Sequence, residues 1–194
     1  IHRDVKPSNV LLRDAVSPVL TDFGLAREQG LPSLTTTGDF AGTPYYVSPE
    51  QALGGRGRVD HRSDIYSLGA TLYEMLTLEP PFPGASAAEV FAKVVTKDAP
   101  DPRGINRAIA APLAHIVMKA LERDPDRRYA SAAAFATDLE TWLAGQPTMA
   151  RAPSLLERWR RYRRSQPARA MLIAATRAAL ILAAIATAVW MPRL

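Results

Sequence analysis

The chain has 194 residues, 47% of them hydrophobic, with a formal net charge of +5 and no cysteine. That length holds one domain with a sizeable core plus tails. The missing cysteine excludes disulfides, cysteine-ligated zinc and thiol catalysis, and His2, His61 and His115 share no metal-binding spacing.

In chain order, the first informative stretch is Ile1-His2-Arg3-Asp4-Val5-Lys6-Pro7-Ser8-Asn9-Val10-Leu11-Leu12. A polar run with Asp, Lys and Asn passes at once into three apolar residues, which reads as a loop presenting charged groups and anchored by a strand. The turn residues between Arg13 and Pro18 and a second apolar run, Val19 to Thr21, predict a small β-hairpin under that loop. Asp22-Phe23-Gly24 follows directly. The two motifs, in this order and each beside its strand, resemble the catalytic core of the protein kinase family, His-Arg-Asp-x-x-x-x-Asn and then Asp-Phe-Gly. As a bare polar loop, the same Asp and Asn would only cap turns.

The resemblance implies a role for each residue. Asp4 would be the catalytic base, Lys6 would lie against the γ-phosphate of ATP, and Asn9 and Asp22 would be Mg²⁺ ligands. Lys6, two positions after Asp4, is similar to the serine/threonine class rather than the tyrosine class. From Asp22 to Glu50 the chain resembles an activation segment. Its middle, residues 29–39, is polar and hydroxyl-rich and has no helix or strand period. Arg3 offers a guanidinium for a phosphate on that segment, so regulatory autophosphorylation is expected at Thr35, Thr36 or Thr37, with a homodimer as its setting. An unregulated flexible loop is the alternative.

Residues 42–50, Gly-Thr-Pro-Tyr-Tyr-Val-Ser-Pro-Glu, resemble the substrate-docking loop and the Ala-Pro-Glu motif, with Ser48 in place of the family's Ala. Thr43 stands where serine/threonine kinases place a Thr that contacts Asp4 and Lys6. Glu50 is expected to be buried and therefore paired. Arg128 is its candidate partner, with Arg127 as the fallback, in a stretch similar to the family's late Asp-Pro-x-x-Arg signature.

Ser63 can cap a helix whose apolar positions Ile65, Leu68, Leu72, Met75 and Leu76 follow a 3.6-residue period, stopped by Pro80 and Pro81. By the resemblance, Asp64 in its first turn braces the catalytic loop from behind. Three more helices are predicted: Ser86 to about Lys97, Ile109 to Leu121, and one from Ser131 that Gly145 stops. The fold class expected is mainly α (α+β), a kinase large lobe with a small β-hairpin, over residues 1–144.

Residues 145–169 change character. Arg151, Arg158, Arg160, Arg161, Arg163, Arg164 and Arg169 are opposed only by Glu157, with Leu155, Leu156 and Trp159 interleaved. Next to an apolar run this suggests a basic juxtamembrane segment on an anionic lipid bilayer rather than a nucleic-acid site. Residues 170–191 are apolar except for Arg177 and are long enough for a single transmembrane helix, with Trp190 at an interface and 192–194 as a tail. Arg177 is the objection, costing about 2.5–3.5 kcal/mol at mid-membrane. The positive-inside rule then puts the lobe on the cytoplasmic side of the inner membrane. The order of segments is similar to that of bacterial receptor-like serine/threonine kinases.

The chain starts at Ile1, inside a motif, so it is expected to be the C-terminal part of a longer protein whose small lobe carries the Gly-rich loop, the strand Lys and the hinge. Two functions follow from different classes. One is a serine/threonine kinase transferring the ATP γ-phosphate to protein Ser/Thr hydroxyls. The other is a truncated, inactive, membrane-tethered interaction module.

Overall fold

The computed structural model describes residues 1–14, 16–22, 44–54, 59–152 and 154, and the single positions Met171, Thr176, Leu180 and Ala184. The chain divides into two units, Ile1–Ala152 and Pro153–Leu194. The first holds strands β1 (Val10–Leu12) and β2 (Pro18–Leu20), then helices α1 (Pro49–Ala52), α2 (His61–Thr77), α3 (Ala87–Thr96), α4 (Ala111–Ala120) and α5 (Ala132–Leu143).

β1 and β2 pair antiparallel, Val10 with Leu20, Leu11 with Val19 and Leu12 with Pro18. Pro18 is tolerated because a two-stranded ribbon has only edges. Such a ribbon is marginal alone, and Leu11 and Leu12 stay exposed. Its anchorage lies at the loop end, where the Thr21 N–H donates to the Asn9 carbonyl at 2.9 Å.

α2 is the central element, because the buried clusters on both its sides draw on it. Tyr66, Ala70 and Tyr73 pack with Val90 and Val94 of α3 and Val117 of α4. Ile65 packs with Ile116, Tyr129 and Phe135 on the other side. Helix α2 runs so close to α4 that a β-carbon at Gly69 would lie 2.8 Å from the Ala120 Cβ. The single apolar stripe expected from the sequence is therefore too narrow: Tyr66 and Tyr73 are fully buried, whereas Met75 is exposed. The start also differs. Asp60 is the cap, accepting the Arg62 N–H at 2.8 Å, and Ser63 sits buried in the first turn. The helix ends at Leu78 in the left-handed region, φ 61°, before either proline is reached.

Ser86 caps α3 by accepting the Glu89 N–H, and the Glu89 carboxylate reaches back to the Ala85 N–H at 2.9 Å. Together they satisfy two of the amide donors that a helix start leaves open. Ser131 caps α5 in the same way, through the Ala134 N–H, and Gly145 at φ 69° follows its end. The chain then turns back on α5. Buried Asp138 accepts the Tyr129 hydroxyl at 2.6 Å and the Ala150 N–H at 3.0 Å. The first unit consequently stays packed to Ala150, past the boundary expected near residue 144.

One expectation is overturned. Among the described residues no helix is long and apolar enough to cross a membrane, so the described fold is mainly helical with a small two-stranded sheet, and the single transmembrane helix expected over 170–191 is not among its elements. The described positions there, Met171, Thr176, Leu180 and Ala184, are helical and exposed. Alanine is the commonest residue of that stretch and contributes little transfer energy per residue, which leaves a weak margin against the charge of Arg177. Most of 170–191 and the arginines from 158 to 169 lie outside the described residues.

Candidate active site

The loop before β1 is shaped by Pro7, which opens a single 3₁₀ turn over Pro7–Asn9 and sets the backbone to turn into the strand. That turn folds Asn9 back over Asp4. The Asn9 Nδ2 donates to the Asp4 carbonyl at 2.8 Å and to the Asp4 Oδ2 at 2.9 Å. The Lys6 ammonium pairs with the same carboxylate oxygen at 2.8 Å. Asn9 is buried, while 46% of the Asp4 side chain remains open to solvent. A carboxylate oriented by two donors and open on its remaining side can receive a proton from an arriving hydroxyl.

The loop is held from behind by α2. Asp64 accepts the His2 N–H on Oδ2 and the Arg3 N–H on Oδ1, each at 2.8 Å. A carboxylate in the first turn of a helix is already favourable there, and its two oxygens match two successive amides. Arg3 needs this help because it sits at φ 71°, a left-handed conformation that a β-carbon disfavours. His2, buried, completes the shell. Its Nδ1 accepts the Asp4 N–H at 3.3 Å, so Nε2 carries the hydrogen and donates to the Thr21 carbonyl at 2.8 Å. The imidazole thereby joins the loop to the strand that leads to Asp22.

Asp22, exposed and at φ 62°, lies one residue beyond the rung that ties Thr21 to Asn9. Among the described residues no three His, Cys, Asp or Glu side chains gather into a metal site. Mg²⁺ carried on a nucleotide takes one or two carboxylates and fills its octahedron with phosphate oxygens and water. Asn9 spends only its Nδ2 on Asp4, leaving its carbonyl oxygen as an acceptor, and Asp22 offers a carboxylate. This all-oxygen donor set fits the ion.

Glu50 and Arg128 meet as a buried, two-pronged ion pair: Nη1 to Oε1 at 2.7 Å and Nη2 to Oε2 at 2.8 Å. Arg127 is elsewhere, 3.7 Å from Glu122. The Ser63 hydroxyl adds a third bond to Glu50 at 2.6 Å. Burial pushes the Glu50 carboxyl up, but the Arg128 hydrogen bonds and charge, with Ser63, outweigh it and hold the group below its ordinary value. The Arg128 guanidinium also lies over the Tyr66 ring, 5.0 Å from its centroid. These bonds fix the one-turn α1, which is too short to be stable by itself.

The structure thus brings Asp4, Lys6, Asn9, Asp64 and Arg3 together and places Glu50 with Arg128. Thr35, Thr36, Thr37 and Thr43, with Phe23 and Gly24, lie outside the described residues. Three contributors were not singled out from the sequence: His2 as a tie, Ser63 as the partner of Glu50, and Gln51. Gln51 donates from Nε2 to the Arg3 carbonyl at 2.9 Å. Its signal was present, since Ser48-x-x-Gln51 is a capping-box pattern before a helix.

A sequence model of the protein kinase domain matches residues 1–139. The chain is 44% identical over 154 residues to a probable serine/threonine-protein kinase of Streptomyces coelicolor, covering 78% of this chain and 23% of that protein. It is 44% identical over 148 residues to the serine/threonine-protein kinase PknB of Mycobacterium leprae (76% and 24%). The figure is 43% over 150 residues for PknB of Mycobacterium tuberculosis (76% and 24%). The chain therefore spans about a quarter of the length of these curated relatives. With the loop, its brace and the buried ion pair in place, and with the family model covering most of the chain, this protein belongs to the protein kinase domain family.

Proposed function

We propose that this chain carries the phosphoryl-transfer loop of a serine/threonine protein kinase, with Asp4 as the residue that orients the substrate hydroxyl and receives its proton. The observation that supports this most is the Asp4 carboxylate itself, held by Lys6 at 2.8 Å and Asn9 at 2.9 Å and open to solvent on its other side. Lys6, beside the base, is placed to bear on the negative charge of the transferred phosphoryl group. Asn9 and Asp22 would hold Mg²⁺, which supplies neutralisation of the phosphate charge of ATP. Asp64 and His2 contribute no reacting atom. They keep the loop in one conformation, so little reorganisation is needed when the hydroxyl arrives.

Protein Ser/Thr hydroxyls as substrate and ATP as donor are the partners this reading requires; the similarity to serine/threonine-protein kinases supports the first and the kinase family the second. The test is Asp4→Asn in the full-length protein. Mg²⁺-ATP-dependent phosphorylation of a protein substrate should vanish while the circular dichroism spectrum and thermal midpoint stay as they are. Undiminished phosphorylation would refute the assignment and favour an interaction module. Autophosphorylation at Thr35, Thr36 or Thr37 by a second copy, Thr43 as a contact of Asp4, and lipid contact by residues 151–169 extend the reading from sequence alone. Phosphopeptide mapping, a Thr43→Ala rate measurement and co-sedimentation with anionic vesicles test them in turn, and a null result removes each.

A further inference from the structure

We infer that Gln51 is a positioning residue for phosphoryl transfer, holding the Arg3–Asp4 peptide from the carbonyl side and so fixing where the Asp4 carboxylate stands. The inference rests on the reading of Asp4 given above. It starts from the backbone. Arg3 is in the left-handed region at φ 71°, and a residue with a β-carbon stays there only where its surroundings over-determine it. Asp64 secures the amino side by accepting the His2 and Arg3 N–H groups. It does nothing for the carbonyl side. The Arg3 carbonyl and the Asp4 N–H belong to one planar unit, whose N–H is tied to His2 Nδ1 by a long bond of 3.3 Å. The shorter restraint on that plane is the Gln51 Nε2, donating to the Arg3 carbonyl oxygen at 2.9 Å. If the plane turns, Asp4 turns with it, away from Lys6 and Asn9.

The direction of the Gln51 amide is itself determined. Its Oε1 accepts the Ser48 N–H at 3.2 Å and the Ser48 hydroxyl at 2.9 Å, and Ser48 is fully buried. A backbone N–H can only donate and a backbone carbonyl can only accept, so the oxygen must face Ser48 and the nitrogen must face Arg3. The amide also stands on firm ground. Its neighbour in α1, Glu50, is locked to Ser63 and Arg128. Two successive residues of one short turn therefore point to different structures, Glu50 into the lobe and Gln51 onto the catalytic loop. This makes α1 the mechanical link between the end of the 22–50 segment and Asp4. The hydroxyl of Ser48, present where the family has an Ala, serves this link by adding a second donor to Oε1.

Capping alone would use only the oxygen of Gln51, so the two roles separate chemically. Gln51→Glu keeps an acceptor for the Ser48 N–H, as in a standard capping box, but removes the donor to Arg3 and sets a carboxylate against a carbonyl. In the full-length protein the expected result is an unchanged thermal midpoint, an unchanged KM for ATP, and a kcat lower by about five- to tenfold, the scale of one hydrogen bond. Gln51→Ala should lower both kcat and the midpoint. Wild-type kcat in Gln51→Glu would overturn the inference, as would a loss of kcat matched by a loss of stability. Should that variant fail to fold, Ser48→Ala reads the same link: it loosens the amide and should lower kcat about twofold at constant KM, and an unchanged kcat would overturn the inference. Asp4→Asn, run alongside, keeps the two readings apart. An active Asp4→Asn removes the proposed function, whereas an inactive Asp4→Asn with a fully active Gln51→Glu removes only the role of Gln51.

Discussion

Replacing Arg128 by Ala tests the buried ion pair that fixes α1. The Arg128 side chain has no exposed surface, and each of its five N–H donors has a partner. Nε donates to the Glu122 carbonyl at 2.7 Å, Nη1 to Glu50 and to the Arg62 carbonyl at 2.8 Å, and Nη2 to Glu50 and to the Arg123 carbonyl at 3.1 Å. Truncation therefore removes the guanidinium donor from three backbone carbonyls and both charged bonds from Glu50, which keeps the Ser63 hydroxyl. Breaking a buried pair from one side costs about 3–5 kcal/mol, because the surviving charge stays buried and unpaired. For a unit of this size each kcal/mol moves the thermal midpoint by roughly 2–4 °C, so the expected loss is roughly 6–20 °C. Differential scanning calorimetry of the full-length protein reads this directly. Arg128→Lys should recover little, since an ammonium has three donors and no fork. The double variant Glu50→Leu/Arg128→Met should be more stable than Arg128→Ala, because it leaves no buried charge behind. A midpoint within about 2 °C of wild type for Arg128→Ala would refute the reasoning.

Two further predictions follow from packing and charge. The Glu50 carboxyl titrates below its ordinary 4.5 in the folded chain, so its contribution is fully present above that value and is lost as pH falls through the lower folded value. The midpoint should be flat on this account above pH ~5.5 and fall below pH ~4.5. In Arg128→Ala, where burial outweighs the remaining Ser63 hydrogen bond, the carboxyl is pushed up and the sign reverses, so on this account the midpoint should rise as pH falls through the raised value; calorimetry across a pH series that shows the wild-type trend unchanged would contradict the pairing. Gly69→Ala would place a β-carbon 2.8 Å from the Ala120 Cβ. Overpacking of this kind costs about 1–3 kcal/mol, more than the ~1 kcal/mol that Ala gains over Gly in a helix. Urea denaturation should show a net loss of stability, and a net gain would mean that α2 and α4 separate freely.

The site was legible in the sequence to the extent that it is local. Asp4, Lys6 and Asn9 lie within six positions, joined by a proline turn, and their mutual hydrogen bonds need only that turn to close. The caps at Ser86 and Ser131 are local in the same sense, since a hydroxyl bonds an amide three residues on. The cap of α2 misled, because Ser63 and Asp60 are both good cap residues. What settles it is that the Ser63 hydroxyl is taken by Glu50, thirteen positions away. Tyr66 and Tyr73 were missed because a helix packed on several sides has no single apolar stripe to read.

By itself the sequence determined the family, the order of the short elements and which residues share the loop before β1, because motif spacing and capping act within a few residues. The tertiary structure alone decided which of Arg127 and Arg128 holds Glu50, and how Asp64 divides its two oxygens between His2 and Arg3. It alone showed that Gln51 reaches the Arg3 carbonyl, and that no described helix is apolar and long enough to span a membrane. Those contacts join residues 48 to 78 positions apart. Which donor meets which acceptor at that range is set by how α1 and α2 pack under the loop, and no local pattern encodes that.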